Sequence, residues 1–326
     1  MKYTHLGRTG LTVSKLCLGT MNFGPETSEP DSHQIMDHAH SVGINFFDTA
    51  NGYGGPGHMG RTETIIGNWF ATGGGRREKT VIATKLYASF TDWPNDGKLS
   101  ALNIRRACDA SLKRMQTDYI DIYQMHHIDR RTPWDEIWEA MEVLRNQGKI
   151  IYVGSSNFAG WHIAQAQESA RRRNFLGLAS EQSIYNLLER TVELEVLPAS
   201  LFYGLGVIPW SPLQGGLLGG IIKKLESGDV GRSKVQRTND RLEALRPQIQ
   251  AWEDFCAKRE EDPADTALAW LLHNPAVTAP IIGPRTLAQL DGSLRSLDIT
   301  LDADAMKELD LMFPGPGGTA PEAYAW

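Results

Sequence analysis

The stretch ALNIRRACDASLKRMQTDYIDIYQMHHIDRRTPWDEIWEAMEVLRNQGKIIYVGSS, residues 101–156, decides the fold. It runs from an amphipathic helical pattern (101–115) to a β-rich run, YIDIYQMHH (119–127). A second helical pattern, WDEIWEAMEVLRNQG (134–148), leads to a second strand, IIYVGSS (150–156). Helices that separate consecutive strands imply parallel pairing with right-handed crossovers.

The same alternation extends outward in both directions. Strand candidates are VSKLCLGT (13–20), NFFDTA (45–50) and TVIATKL (80–86) before this stretch, and LASEQSIYN (178–186), VIPWSPL (207–213) and VTAPIIG (277–283) after it. Helical patterns stand between them at 31–43, 62–71, 160–173, 192–204, 249–260 with 265–274, and 286–297, and a further one at 303–313 closes the series. KYTH and LTVSK around LGRTG read as an opening hairpin. Eight strand–helix units in 326 residues match an α/β fold, a single-domain (β/α)8 barrel over 1–326 with an N-terminal β-hairpin and an additional C-terminal helix. A doubly wound sheet usually stops at five or six strands and here would need two domains, yet no Pro/Gly/Ser-rich linker divides the chain. The longest break, 214–245, is Gly-rich and then charged, and reads as a mobile loop covering a cofactor; 315–326 reads as an irregular tail.

With 33 basic and 39 acidic residues, the net charge of −6 argues against a nucleic-acid or anionic-membrane surface. Three widely spaced cysteines (Cys17, Cys108, Cys256) exclude a disulfide framework and a Cys-based metal site, so a cytoplasmic setting is expected. MKYTHLGRTG has no apolar core of signal-peptide length.

In such a barrel the site lies at the C-terminal ends of the strands. Asp48, Lys85 and His126 end three neighbouring strands, and Tyr53 follows Asp48 in a Gly-rich loop. An acid, a phenol, an amine and an imidazole on one rim suit proton transfer to a carbonyl oxygen. The ammonium is expected to lower the phenol's pKa, and the carboxylate to keep the ammonium charged and oriented. No side chain carries hydride, so a cofactor must. Taken singly, each residue has a structural reading: Asp48 as a turn cap with Lys85 its partner, His126 as a core histidine, Trp210 as core and Arg285 as a solvated charge. His127 reads as a neighbour on the opposite side of its strand. Gly52–Gly57 matches G-x-G-x-x-G, but no helix opens where a dinucleotide fingerprint needs one, and Lys85 ends the next strand where an acid is wanted. The His126–His127 pair lacks a third metal ligand. Residues 171–174, RRRN, read as cations at a helix C-terminus.

In order, NFFDTANGYGGPGHMGRTETIIG, TVIATK, YIDIYQMHHID, VGSSNF, EQSIYN, PWSPLQGG and IIGPRTLAQL resemble the aldo-keto reductases over nearly the whole chain. That resemblance implies NADPH-dependent reduction of a small-molecule carbonyl substrate, with Asp48, Tyr53, Lys85 and His126 as catalytic residues and Tyr53 as proton donor. It implies NADPH/NADP+ contacts from Gly19, Thr20, Met21 and Asp48, and from Ser156, Asn157 and Gln182 at the nicotinamide carboxamide. Trp210 takes the ring-stacking position, Ser211 and Leu213 border the pyrophosphate, and Gly283, Arg285, Thr286 and Gln289 meet the adenosine and 2′-phosphate. Two departures are Trp210, where Tyr is frequent, and Ser293, where Asn commonly contacts adenine. Residues 125–161 are similar to a bacterial branch that includes reductases of nucleotide-linked keto-deoxysugars beside general carbonyl reductases. The family also contains channel-associated β subunits, which implies a redox-sensor role as the alternative.

Overall fold

Among the described residues eight parallel strands form one sheet, which begins with the last strand of the chain and then follows sequence order from the sheet's first strand to its seventh. The computed structural model describes residues 1–228 and 236–325. A hairpin comes first, β1 (Tyr3–His5) with β2 (Thr12–Ser14). The barrel strands are β3 (Cys17–Gly19), β4 (Phe46–Asp48), β5 (Val81–Leu86), β6 (Ile120–Met125), β7 (Ile150–Ser156), β8 (Leu178–Gln182), β9 (Gly206–Val207) and β10 (Ile281–Ile282). The two ends meet through a parallel bridge between Val207 and Val277. Val207 N donates to Ala276 O at 3.1 Å, Thr278 N to Val207 O at 2.8 Å and Ile281 N to Pro209 O at 2.8 Å. The sheet therefore closes into the expected (β/α)8 barrel. Strands β9 and β10 are shorter than their apolar runs because Pro209 and Pro280 have no N–H to give the ladder.

Around the barrel lie α1 (Glu29–Ser41), α2 (Arg61–Ala71), α3 (Ala101–Met115), α4 (Trp134–Asn146), α5 (Gly160–Arg172), α6 (Val196–Tyr203), α7 (Ile221–Glu226), α8 (Gln236–Lys258), α9 (Pro263–His273) and α10 (Leu287–Arg295). The additional C-terminal helix is α11 (Ala303–Met312). Ser28, Ser100, Asp262, Thr286 and Asp302 cap their helices by accepting first-turn N–H groups that would otherwise lack a partner.

The strand pleat divides two cores. Phe47, Ile82, Tyr123 and Met125 face the helices, whereas Phe46, Ala83 and Ile122 fill the interior above Leu6 and Val13 of the hairpin. One step further along the inward faces, the apolar layer gives way to Asp48, Lys85 and Gln124, all buried. That change of layer locates the site.

Segments 214–245 and 315–326 both carry some helix where they are described. Segment 214–245 is largely helical where it is described: a 3-10 turn at Gln214–Gly216, then α7, then α8 from Gln236. Leu242, Ile249, Trp252 and Cys256 recur at helical spacing and are buried, which draws the helix back across the charged sequence. The cofactor-covering loop expected here falls partly on 229–235, outside the described residues. The tail carries a short helix, α12 (Glu322–Ala325), and Ala320 N donates to Leu194 O at 2.9 Å.

Candidate active site

Tyr53 owes its place to a loop that only glycine permits. Gly54 has φ 141°, and a Cβ there would sit 2.0 Å from His58 O. Tyr53 N donates to Ala50 O at 3.1 Å, and Tyr53 O accepts from Gly60 N at 2.9 Å. The loop turns the phenol over the end of β5. Helix α2 begins only at Arg61, after this loop, so the Gly52–Gly57 motif opens no helix and is a turn.

Lys85 has no solvent exposure, and its ammonium has three acceptors: Asp48 Oδ2 at 2.5 Å, Thr49 O at 2.9 Å and Tyr53 OH at 3.3 Å. A buried charge persists only when paired and hydrogen-bonded in this way. Burial pushes the Lys85 pKa down, but Asp48 and Tyr53 outweigh it and the net shift is upward. The site therefore holds a permanent cation beside the phenol. On Tyr53 the balance goes the other way from the sequence expectation. Burial raises the phenol's pKa by more than Lys85 lowers it, and Asp48 adds to the rise. The ammonium shares its charge with Asp48, and a phenolate here would lose its water. The group at this position is a neutral phenol.

His126 follows β6, and its ring stands edge-on to Tyr53 with centroids 6.0 Å apart. Burial first, then Lys85 and His127, lower its pKa to about 3. The imidazole is thus neutral at ordinary pH and can donate a hydrogen bond without being an acid. His127 does not face away. Strand pairing ends at Met125, so alternation no longer applies, and the two imidazoles stack 5.0 Å apart at 5°. Tyr87 meets His127 edge-on at 5.3 Å. Asp48, Tyr53, Lys85 and His126 are brought together as expected.

The residues expected at the nicotinamide form one connected group beside them. Asn157 is left-handed (φ 59°) and its N donates to Gln182 O at 2.9 Å. Asn157 Nδ2 donates to Ser156 Oγ at 3.0 Å and to His126 O at 3.2 Å, while Trp210 Nε1 donates to Asn157 Oδ1 at 3.1 Å. Gln182 Nε2 turns to Asp48 Oδ1 at 2.8 Å. Glu181, fully buried, accepts from Ser155 Oγ, from Ser183 Oγ at 2.7 Å and from Phe158 N at 3.1 Å, and so pins residues 155–158 to β8. Burial lifts its pKa to about 7 against these donors. Ser211 is left-handed (φ 54°) and its O accepts from Asn186 Nδ2 at 2.9 Å; Leu213 leads into the 3-10 turn.

A second group surrounds the start of α10. Gly283 O accepts from Asn22 Nδ2 at 2.9 Å, and Arg285 Nη1 lies 3.1 Å from Glu26 Oε2. Thr286 Oγ1 accepts from Gln289 N at 3.3 Å, and Gln289 Oε1 accepts from Arg285 N at 2.8 Å. Ser293 Oγ donates to Gln289 O at 2.9 Å, so its hydroxyl proton is given to its own helix. Gly19 ends β3, Thr20 donates through N and Oγ1 to Asp48 O, and Met21 is exposed. The donor set fits a dinucleotide: a guanidinium, a hydroxyl and a helix N-terminus suit phosphate, and the Ser156–Asn157 pair suits a carboxamide.

Two residues at this rim have no role in the sequence reading. His127 is one; a strand ending one residue earlier would have revealed it. Gln124 is the other. It stands in register with Lys85 and donates from Nε2 to Asp48 Oδ1 at 3.1 Å, and its only sequence signal was a polar residue on an inward strand position.

Among the described residues no group of three His, Cys, Asp or Glu could hold a metal ion, and no described helix is long and apolar enough to cross a membrane. The Aldo/keto reductase family model matches residues 15–312, so the chain belongs to that family. It is 56% identical to “Uncharacterized oxidoreductase YrpG” of Bacillus subtilis (strain 168), over 100% of both chains. It is 33% identical to “Versiconal hemiacetal acetate reductase” of Aspergillus parasiticus, over 95% of this chain and 96% of that one. It is also 33% identical to “Probable voltage-gated potassium channel subunit beta” of Oryza sativa subsp. japonica, over 92% of each. Fold, family and oxidoreductase relatives together define an oxidoreductase of the carbonyl-reducing class.

Proposed function

We propose that the protein reduces an aldehyde or ketone to an alcohol with NADPH, and that Tyr53 is the proton donor. The observation that carries this reading is the fully buried Lys85 ammonium held between Asp48 and the Tyr53 hydroxyl. A bound nicotinamide supplies the hydride. Ser156 and Asn157 would hold its carboxamide, Trp210 would lie beside its ring, and Arg285 and Thr286 would take the phosphate of the adenosine end.

The carbonyl oxygen sits between Tyr53 and His126. As the carbon gains its new C–H bond, the carbonyl π electrons move to oxygen, and Tyr53 gives that oxygen its proton. The phenolate left behind lies beside the Lys85 ammonium, whose stabilisation counts only once charge has formed. Asp48 keeps Lys85 in place, and the neutral His126 ring donates a hydrogen bond to the same oxygen.

The test is NADPH oxidation followed against aldehydes, quinones and nucleotide-linked keto-deoxysugars, the last because of the branch that residues 125–161 resemble. Turnover of at least one class is expected. The similarity to potassium channel β subunits supports a second reading, a nicotinamide-bound redox sensor. Negligible turnover with every class, together with NADP+ retained through gel filtration, would favour the sensor.

A further inference from the structure

We propose that Gln124 is a positioning residue of this site: its side-chain amide fixes the Asp48 carboxylate in the orientation from which Asp48 anchors Lys85. The inference rests on the carbonyl-reducing reading given above. The two Asp48 oxygens have different partners. Oδ2 accepts from the Lys85 ammonium, whereas Oδ1 accepts from Gln182 Nε2 at 2.8 Å and Gln124 Nε2 at 3.1 Å. Lys85 pulls on one oxygen, and the two amides hold the other.

Three features indicate that Gln124 is there for its donor. The first is that its Oε1 is buried and has no hydrogen-bond partner among the described residues. An unpaired buried acceptor is costly, and an apolar side chain of similar volume would avoid that cost. Secondly, the amide cannot be turned over, because that would set its oxygen against the Asp48 carboxylate and leave the nitrogen unpaired. Finally, room has been made for it. A Cβ at Gly154 on the neighbouring strand would lie 3.0 Å from Gln124 Cγ and 2.5 Å from Ser180 Oγ. The site thus accepts a local penalty in order to place an N–H on Asp48.

The effect on Tyr53 passes through Lys85. With Gln124 gone, the Asp48 carboxylate loses one of two neutral donors. It then competes more strongly for the ammonium, which withdraws from the phenol. The phenol loses part of the Lys85 influence that lowers its pKa, while burial and Asp48 still push it up.

The experiment uses the full chain with NADPH and 4-nitrobenzaldehyde, or whichever screened carbonyl is reduced fastest. Gln124→Met should lower kcat by about ten- to a hundredfold, the scale of one hydrogen bond to a charged group. NADP+ affinity should stay within about twofold, and the alkaline limb of the pH–rate profile should move up. In an Asp48→Ala background the same change should have almost no effect, because the group it acts on is absent. Gln124→Glu supplies a second reading. Its introduced carboxyl can donate to Asp48 only while protonated, so activity should approach wild type at the acid end and fall as that group ionises. Equal losses in the two backgrounds, an unmoved alkaline limb, or a Gln124→Glu variant without the acid-side recovery would overturn the proposal. If Tyr53→Phe abolishes activity in the same assay while Gln124→Met leaves kcat within about twofold of wild type, this inference alone fails; if Tyr53→Phe retains activity, the reading of the site fails with it.

Discussion

Replacing His126 with glutamine removes an imidazole that the fold holds neutral, and the consequence is calculable. Burial, Lys85 and His127 bring its pKa from 6.5 to about 3. Below pH 6.5 the unfolded chain therefore binds a proton at this ring that the native state refuses. The unfolded state binding more protons means that stability falls as pH falls. Each pH unit between the two values is worth about 1.4 kcal/mol, so about 2 kcal/mol is at stake at pH 5. The ring keeps partial contact with solvent, which reduces the expected loss to about 1–2 kcal/mol. Burial also lowers His40, His127 and His162, but these are common to wild type and variant. The assay is urea unfolding of both proteins at pH 7.5 and pH 5. Wild type should lose about 1–2 kcal/mol more than His126→Gln over that interval. Equal losses, or an imidazole carbon resonance for His126 that titrates near the ordinary histidine range, would refute the reasoning.

Lys85→Met should impair reduction strongly and move the alkaline limb of the pH–rate profile upward, since it removes the charge that lowers the Tyr53 pKa; Asp48→Asn should impair reduction more weakly and move that limb downward, because the Asp48 charge raises the same pKa, and unchanged profiles in both would make the pair purely structural. Arg285→Ala should weaken NADP+ binding by roughly tenfold to a hundredfold and leave NAD+ nearly untouched, because a guanidinium fork suits the 2′-phosphate. Tryptophan fluorescence titrations with both cofactors measure this, and a parallel loss of both would refute it. Gly54→Ala should cost more activity than Gly57→Ala, because a Cβ at Gly54 meets His58 O at 2.0 Å whereas one at Gly57 meets nothing within 4 Å among the described residues; kcat values for the pair decide it.

The barrel was legible because each strand–helix unit carries its own signals. Helix α3 spans Ala101–Met115 as its amphipathic run implies, with Ser100 as cap and left-handed Gln116 (φ 50°) as stop. Strands β4 to β6 fell where β-rich runs ended in Asp48, Lys85 and His126. The start of α8 was hidden by its charged residues and by Pro247, which reads as a breaker although the helix contains it. Its apolar positions were nonetheless in phase from Leu242 onward. The gathering of four residues at one rim was readable from topology, whereas the balance of forces among them was not. Residue types say that Lys85 lowers the phenol's pKa; only burial shows that a larger opposing effect exists. Gln124 and Gln182 likewise look alike in sequence, and only the interior geometry sets both amides on one carboxylate oxygen.

Delivery of the proton to the carbonyl oxygen by the Tyr53 hydroxyl is the step that Tyr53→Phe isolates. The side chain keeps its ring and its packing and loses only the group that acts as charge develops. Steady-state NADPH oxidation with a screened carbonyl substrate, paired with NADP+ titration of both proteins, gives the two quantities needed. A fall in kcat of more than about 10²-fold is expected, the scale of a positioned acid, with NADP+ affinity nearly unchanged. A variant that keeps activity within a few-fold, or loses cofactor affinity and turnover in step, would contradict it.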